Sequence, residues 1–141
     1  MIKKSNILLV DDDDIYLYIM ENTIHQLHNE LTINSFTDGE QAVEYITKCT
    51  EEKVELPEVI FLDINMPFLD GWGFLAAFKK LKPKIVKQVN IYMVSSSMLE
   101  SDMKRAANFE ELTGYVVKPV TKEKLTEIVK KIYNENWQAN T

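Results

Sequence analysis

At 141 residues, 45% of them hydrophobic, the chain is sized for one continuous core, and a second folded domain is not expected. Its 16 basic residues against 22 acids give a net charge of -6, which argues against direct binding to nucleic acid. No apolar run approaches the roughly 18 residues of a membrane span, no leader pattern opens the sequence, and the single cysteine, Cys49, suits a reducing compartment, so a soluble, unprocessed, cytoplasmic protein is expected.

Element types alternate along the chain. Asn6-Ile7-Leu8-Leu9-Val10 is a short apolar run ending abruptly in four acids, Asp11 to Asp14, the pattern of a strand buried on both faces. Ile15, Ile19, Met20, Ile24 and Leu27 then give a broad helical stripe. Leu31 to Phe36 reads as a second strand closed by the turn Thr37-Asp38-Gly39, and Ala42, Val43, Ile46 and Cys49 share one face of the helix that follows. Val59 to Leu62 is a third strand ending in Asp63. Pro67 and Gly71 mark an irregular loop beyond it, and Phe74, Leu75 and Phe78 a helix stopped before Pro83. Ile91 to Val94 runs into Ser95-Ser96-Ser97, after which Leu99, Met103, Ala106 and Ala107 give another helical face. Tyr115-Val116-Val117 is the fifth strand, ending in Lys118-Pro119. Thr121 caps a last helix whose Leu125, Ile128, Val129 and Ile132 lie at i, i+3, i+4 and i+7.

Five apolar strands alternating with five amphipathic helices predict a doubly wound α/β fold, a five-stranded parallel sheet covered on both faces. The domain is expected over 1–133, with the polar stretch 134–141 a tail or an extension of the last helix; Trp137 within it has nothing obvious to pack on.

Ligands of open α/β sheets bind beyond the carboxyl ends of the strands, where strand order reverses. That rule selects Asp11 and Asp12, Asp63, Ser95 and Lys118, each directly after an apolar run. Three carboxylates brought together must take up protons or bind a cation, and a hard divalent ion such as Mg2+, with its preference for oxygen ligands, is the economical answer. Lys118 adds a compact positive charge suited to a phosphate oxygen, and Ser95 a hydroxyl. A carboxylate can itself be the nucleophile in phosphoryl transfer, which then needs little beyond in-line positioning and charge neutralisation.

Taken in order, Leu8-Leu9-Val10-Asp11-Asp12-Asp13, Phe61-Leu62-Asp63-Ile64-Asn65-Met66-Pro67 with Asp70-Gly71, Met93-Val94-Ser95-Ser96 and Gly114-Tyr115-Val116-Val117-Lys118-Pro119 resemble the receiver domains of two-component signalling over about residues 5 to 133. The resemblance implies a flavodoxin-like strand order, 2-1-3-4-5, and a single-domain response regulator of the chemotaxis-regulator type. It makes Asp63 the phosphoacceptor and Asp11 and Asp12 the acid pair for Mg2+, with Asp12 the more direct ligand. Asn65 would add its backbone carbonyl to the metal while its side chain faces the phosphodonor or the hydrolytic water. Lys118 would contact the phosphoryl group, the Lys118-Pro119 bond would be cis, and Ser95 and Tyr115 would form the switch pair. A sensor histidine kinase or histidine phosphotransfer protein is the implied donor. The implied output is an unknown protein partner met through the fourth helix, fifth strand and fifth helix; catalysis is limited to the domain's own phosphorylation and dephosphorylation. Asp14 stands where many relatives have proline or glutamate, the connection from Cys49 to Pro57 is longer than usual, Ser96 leaves access for a donor, and Ser97 is a polar position that can tune dephosphorylation.

Blander readings stand beside these. Asp13 and Asp14 can be no more than a helix start favoured by the dipole, and Tyr115 a structural strand tyrosine. Cys49 reads as a buried inert thiol, Trp72 as packing at the start of the third helix, and His25 and His28 as surface residues, since a zinc site needs further ligands. Three functional rivals remain. A phosphatase of the haloacid dehalogenase class needs a second acid two residues after its nucleophile, where this chain has Asn65. A pseudo-receiver would act as a binding module without phosphorylation. A flavin or dinucleotide binder lacks its G-x-G-x-x-G or hydroxyl-rich phosphate loop here, because four acids occupy that place.

Overall fold

A computed structural model describes residues 6–28 and 30–133; the tail 134–141, with Trp137, lies outside the described residues. Five strands, β1 (Asn6–Val10), β2 (Thr32–Phe36), β3 (Val59–Asp63), β4 (Asn90–Ser95) and β5 (Leu112–Val117), form one parallel sheet in the order β2-β1-β3-β4-β5. Helices α1 (Asp14–Leu27), α2 (Gly39–Glu52), α3 (Gly71–Leu81), α4 (Glu100–Ala107) and α5 (Lys122–Tyr133) alternate with them, and Pro83 sits in a short 3-10 turn, Lys82–Lys84, after α3. The expected fold class and strand order are those observed.

The period-2 alternation of the strands divides the core in two. Leu8, Val10, Ile60, Leu62 and Met93 face Ala42 and Ile46 of α2, Phe74, Leu75 and Phe78 of α3 and Ala106 of α4. Ile7, Leu9, Val59, Phe61 and Val94 face Leu17, Met20 and Ile24 of α1 and Leu125, Ile128 and Val129 of α5. Each residue of β1 and β3 is buried, as the near-continuous apolar runs require of central parallel strands.

Helix starts are fixed by side chains that accept the first free amides. Asp13 caps α1 through Ile15 N and Tyr16 N, Asp38 caps α2 through Gln41 N, Asp70 caps α3 through Gly73 N, and the Thr121 hydroxyl accepts from Lys124 N. At the amino ends of the strands Glu58 accepts from Asn6 N and from the Tyr133 hydroxyl and pairs with Lys87, which also binds the Leu56 carbonyl.

Two apolar faces differ from the sequence reading. On α1 the buried residues are Leu17, Met20, Ile24 and Leu27, while Ile15 and Ile19 stand out in solvent with Tyr18. Two overlapping stripes fit the same helical period, and the second, which includes Leu17, is the one that meets the sheet. On α4 only Ala106 is buried; Leu99, Met103 and Ala107 are exposed, because this eight-residue helix turns only Ala106 into the core. Cys49 is buried, and burial pushes its thiol up, as an inert core cysteine requires.

Candidate functional site

Strand order reverses between β1 and β3, and the residues leaving the carboxyl ends of β1, β3, β4 and β5 converge there. Asp11 and Asp12 follow β1 and Asp63 ends β3. One carboxylate oxygen from each lies within 4.8 Å of the others. Asp11 and Asp63 are buried and Asp12 is exposed, so the cluster opens to solvent on the Asp12 side. Among the described residues no other group of three such ligands forms, and His25 and His28 join none.

Asp11 is held from several sides. Its amide donates to the Phe36 carbonyl at 3.0 Å, its Oδ1 accepts from Asp13 N at 3.0 Å, and its Oδ2 accepts from Lys118 Nζ at 2.7 Å. Asp63 Oδ1 accepts from Ile64 N at 2.9 Å and stands 3.7 Å from Lys118 Nζ. The Asp63 carboxyl is pushed up from 3.8 to about 6, first by burial and then by the charge of Asp11; Lys118 and the Ile64 amide oppose this, and Asp12 adds to it. One ammonium therefore faces three acids. The donor set, carboxylate oxygens with unbalanced negative charge, fits a hard divalent cation such as Mg2+.

Lys118 reaches the acids because β5 is tied to β4: its amide donates to the Ser95 carbonyl at 2.9 Å, and the Lys118-Pro119 bond beyond is cis, as expected. The Lys118 ammonium also lies 4.3 Å from the ring centroid of Tyr16 on α1. Ser95 is buried at the end of β4, and its hydroxyl accepts from Ser97 N at 3.1 Å. Tyr115 is half-buried, with its hydroxyl on the Ser97 carbonyl, and the Ser97 hydroxyl donates to Asp102 of α4 at 2.7 Å.

Asn65 is exposed two residues beyond Asp63, in a loop closed at both ends. Gly71 N donates to the Ile64 carbonyl at 2.8 Å, and Gly39 N of α2 donates to the Leu69 carbonyl at 3.1 Å. A methyl group on Gly71 would collide with the Asp63 carbonyl oxygen, and one on Gly39 with the Leu69 carbonyl oxygen, so close backbone approach requires glycine at both positions. Within the loop Phe68 adopts φ 66° with 86% of its surface exposed, a costly backbone for a bulky residue. Trp72 is buried at the start of α3, stacked on Phe109 at 5.8 Å with the Arg105 guanidinium 4.5 Å above it.

The structure thus brings Asp11, Asp12, Asp63 and Lys118 together and sets Ser95 beside them through the β4–β5 pairing, while Tyr115 joins Ser95 only by way of Ser97. Sequence reading missed Tyr16, and it singled out Ser97 only as a polar position that can tune dephosphorylation. Tyr16 had one signal, an aromatic residue in the first helical turn after the acid run. Ser97 gave none for its bonding, since its partners Ser95, Asp102 and Tyr115 belong to three different elements, β4, α4 and β5.

The family model described as response regulator receiver domain matches residues 7–130. The chain belongs to the response regulator receiver family. A two-component response regulator from Cytophaga hutchinsonii is 31% identical to this receiver, with 95% of this chain and 100% of that one covered and a TM-score of 0.81. A probable methanogenesis regulatory protein, FilR2, from Methanothrix harundinacea is 25% identical over 93% of this chain and 82% of its own length. The CheX-CheY-BeF3-Mg+2 complex from Borrelia burgdorferi contains a chain that shares the fold at 21% identity, TM-score 0.74, covering 93% of this receiver and 90% of that chain. Other curated relatives are far longer, and the receiver spans 16%, 14% and 7% of three of them. No helix among the described residues is long and apolar enough to cross a membrane.

Proposed function

We propose that this receiver accepts a phosphoryl group on Asp63 from a sensor histidine kinase or a histidine phosphotransfer protein, with Mg2+ bound, and signals by a conformational change to a protein partner. The observation that carries the reading is the cluster itself: ligand oxygens of Asp11, Asp12 and Asp63 within 4.8 Å, and one ammonium 2.7 Å from Asp11 and 3.7 Å from Asp63. The Borrelia complex, which contains BeF3 and Mg2+, is consistent with it.

In the transfer an Asp63 carboxylate oxygen forms the new bond to phosphorus as the bond from phosphorus to the donor's imidazole nitrogen breaks, and the imidazole leaves with that electron pair and takes up a proton. Asp12, Asp11, Asp63 and the Asn65 backbone carbonyl would hold Mg2+. Bound there, the ion neutralises negative charge and polarises the phosphoryl oxygens. Lys118 neutralises a further oxygen, and the exposure of Asp12 and Asn65 leaves the mouth accessible to a donor. Ser95, at the end of β4, offers its hydroxyl to a phosphoryl oxygen. That pull acts on Ser97 and so on Tyr115 and α4, so the output surface is the α4, β5 and α5 face.

The test is intact mass after incubation with acetyl phosphate, with and without Mg2+, on the natural chain and Asp63→Asn. One added phosphoryl group that needs both Mg2+ and Asp63 is the expected result. No addition to folded protein, from acetyl phosphate or from a histidine kinase, overturns the reading in favour of a binding module that works without phosphorylation.

A further inference from the structure

Lysine is a poor choice for a fixed charge: its ammonium rides on a flexible four-carbon stem and is strongly hydrated. Lys118 nevertheless has to hold its charge near Asp63 and not relax wholly onto Asp11. Asp11 Oδ2 at 2.7 Å and Asp63 Oδ1 at 3.7 Å attract it unequally. A third contact comes from the ring of Tyr16, whose centroid is 4.3 Å from Nζ.

The ring is itself well anchored. Tyr16 is in the first turn of α1, its amide donates to the capping carboxylate of Asp13 at 3.2 Å, and its ring packs against the core between α1, α5 and the sheet. Its hydroxyl is buried with no hydrogen-bond partner among the described residues, an arrangement that costs stability, so the ring is not held there by its hydroxyl. Burial, then the charges of Asp11 and Asp63, push its ionisation far above the ordinary phenol range, so it stays neutral.

Resting on the phosphoacceptor reading, we propose that Tyr16 is a positioning residue for Lys118, its ring face holding the ammonium within reach of the phosphoryl group on Asp63. A ring face attracts a cation over a broad area, without the direction of a hydrogen bond. The ammonium can therefore shift from Asp11 toward a phosphoryl oxygen without leaving the ring. The carboxylates supply the attraction, and the ring limits where the ammonium settles.

The experiment compares the natural chain with Tyr16→Leu, Tyr16→Met and Tyr16→Phe in two readouts: the rate of phosphorylation by acetyl phosphate with saturating Mg2+, and the NMR shifts of the Lys118 Hε protons in the unphosphorylated protein. The two non-aromatic variants are expected to slow phosphorylation about 5- to 10-fold, in line with a partly desolvated cation–π contact, and to shift the Hε signals downfield by loss of the ring current. Tyr16→Phe, which keeps the ring, should rescue both. Equal rates in the folded Leu or Met variant overturn the proposal, as does a Phe variant slowed as much as they are, which would assign the role to the hydroxyl. A natural chain that takes no phosphoryl group from any donor overturns the phosphoacceptor reading instead, and the Hε shifts then still decide whether the ring sets the ammonium.

Discussion

The Tyr115 hydroxyl donates to the backbone carbonyl of Ser97 at 2.9 Å, joining the middle of β5 to the turn between β4 and α4. Ser97 also donates from its amide to Ser95 Oγ at 3.1 Å and from its hydroxyl to Asp102 at 2.7 Å, and Leu99 N donates back to that hydroxyl at 3.3 Å. A buried strand-end hydroxyl, an aromatic residue on β5 and the first turn of α4 therefore share one residue. Displacing Ser95 is therefore expected to disturb the other two. Tyr115→Phe removes one bond of this set, worth about 1 kcal/mol, so amide exchange over 98–103 should speed up roughly fivefold at that energy. Unchanged protection there would leave Tyr115 a packing residue.

Stability should depend on pH through Asp63. Its carboxyl titrates at about 6 in the fold against 3.8 ordinarily, so between those values the folded state binds more protons than the unfolded chain. Stability from this group is therefore lost as pH rises through that window, and the loss, about 3 kcal/mol at 1.36 kcal/mol per unit, is complete above the folded value. Without divalent cation, Asp63→Asn should be the more stable protein at pH 7.5, with the difference vanishing near pH 4. Urea unfolding at the two pH values checks this, and parallel losses in both proteins would contradict it.

Lys118 lowers the Asp63 titration that burial and Asp11 raise. Lys118→Met keeps much of the stem's apolar contact and removes the charge, so the Asp63 carboxyl should titrate higher still. Carbon-detected NMR of the Asp63 carboxyl in cation-free protein reads the shift. A titration that stays put would mean the ammonium acts on Asp11 alone.

Gly71→Ala places a methyl group against the Asp63 carbonyl oxygen, a backbone atom with no rotamer to yield. A loss of about 1–3 kcal/mol is expected on the scale of overpacking. Thermal unfolding gives the magnitude; amide shifts at 63–65 show whether the loop has moved.

Phe68→Asn should act the other way. The φ of 66° suits asparagine better than phenylalanine, and the side chain is exposed, so relief of backbone strain gives a gain of about 1 kcal/mol. A loss of stability on chemical unfolding would reveal packing by the Phe68 ring.

Much of this was legible in the sequence because topology did the placing. Once Val10, Leu62, Val94 and Val117 are recognised as strand ends of a parallel sheet, the residues after them must meet, whatever their side chains do. The resemblance supplied order and roles on the same positions. What stayed hidden depended on direction in space. Ile15 and Ile19 share a helical period with Met20 and Ile24, yet the helix turns Leu17 inward and leaves both isoleucines in solvent. Leu99 and Met103 fit an amphipathic face that a two-turn helix does not bury. Tyr16 and Ser97 matter through contacts to Lys118, just beyond β5, and to Tyr115 within it, about a hundred and about twenty residues away along the chain, and no local pattern encodes those.

The two glycine contacts flanking the 64–70 loop also limit where the chain can grow. Gly39 and Gly71 pin that loop to the start of α2 and to the end of β3, so an inserted residue is expected to strain the backbone bonds at Ile64 and Leu69, the first of them next to Asp63. The connection after α2 is different: residues 53–55 are exposed, and lengthening such a segment costs only about 0.6 kcal/mol per doubling. Extra length is cheap on the side of the sheet away from the acids and costly beside them, which insulates the geometry around Asp63 from changes in loop size elsewhere.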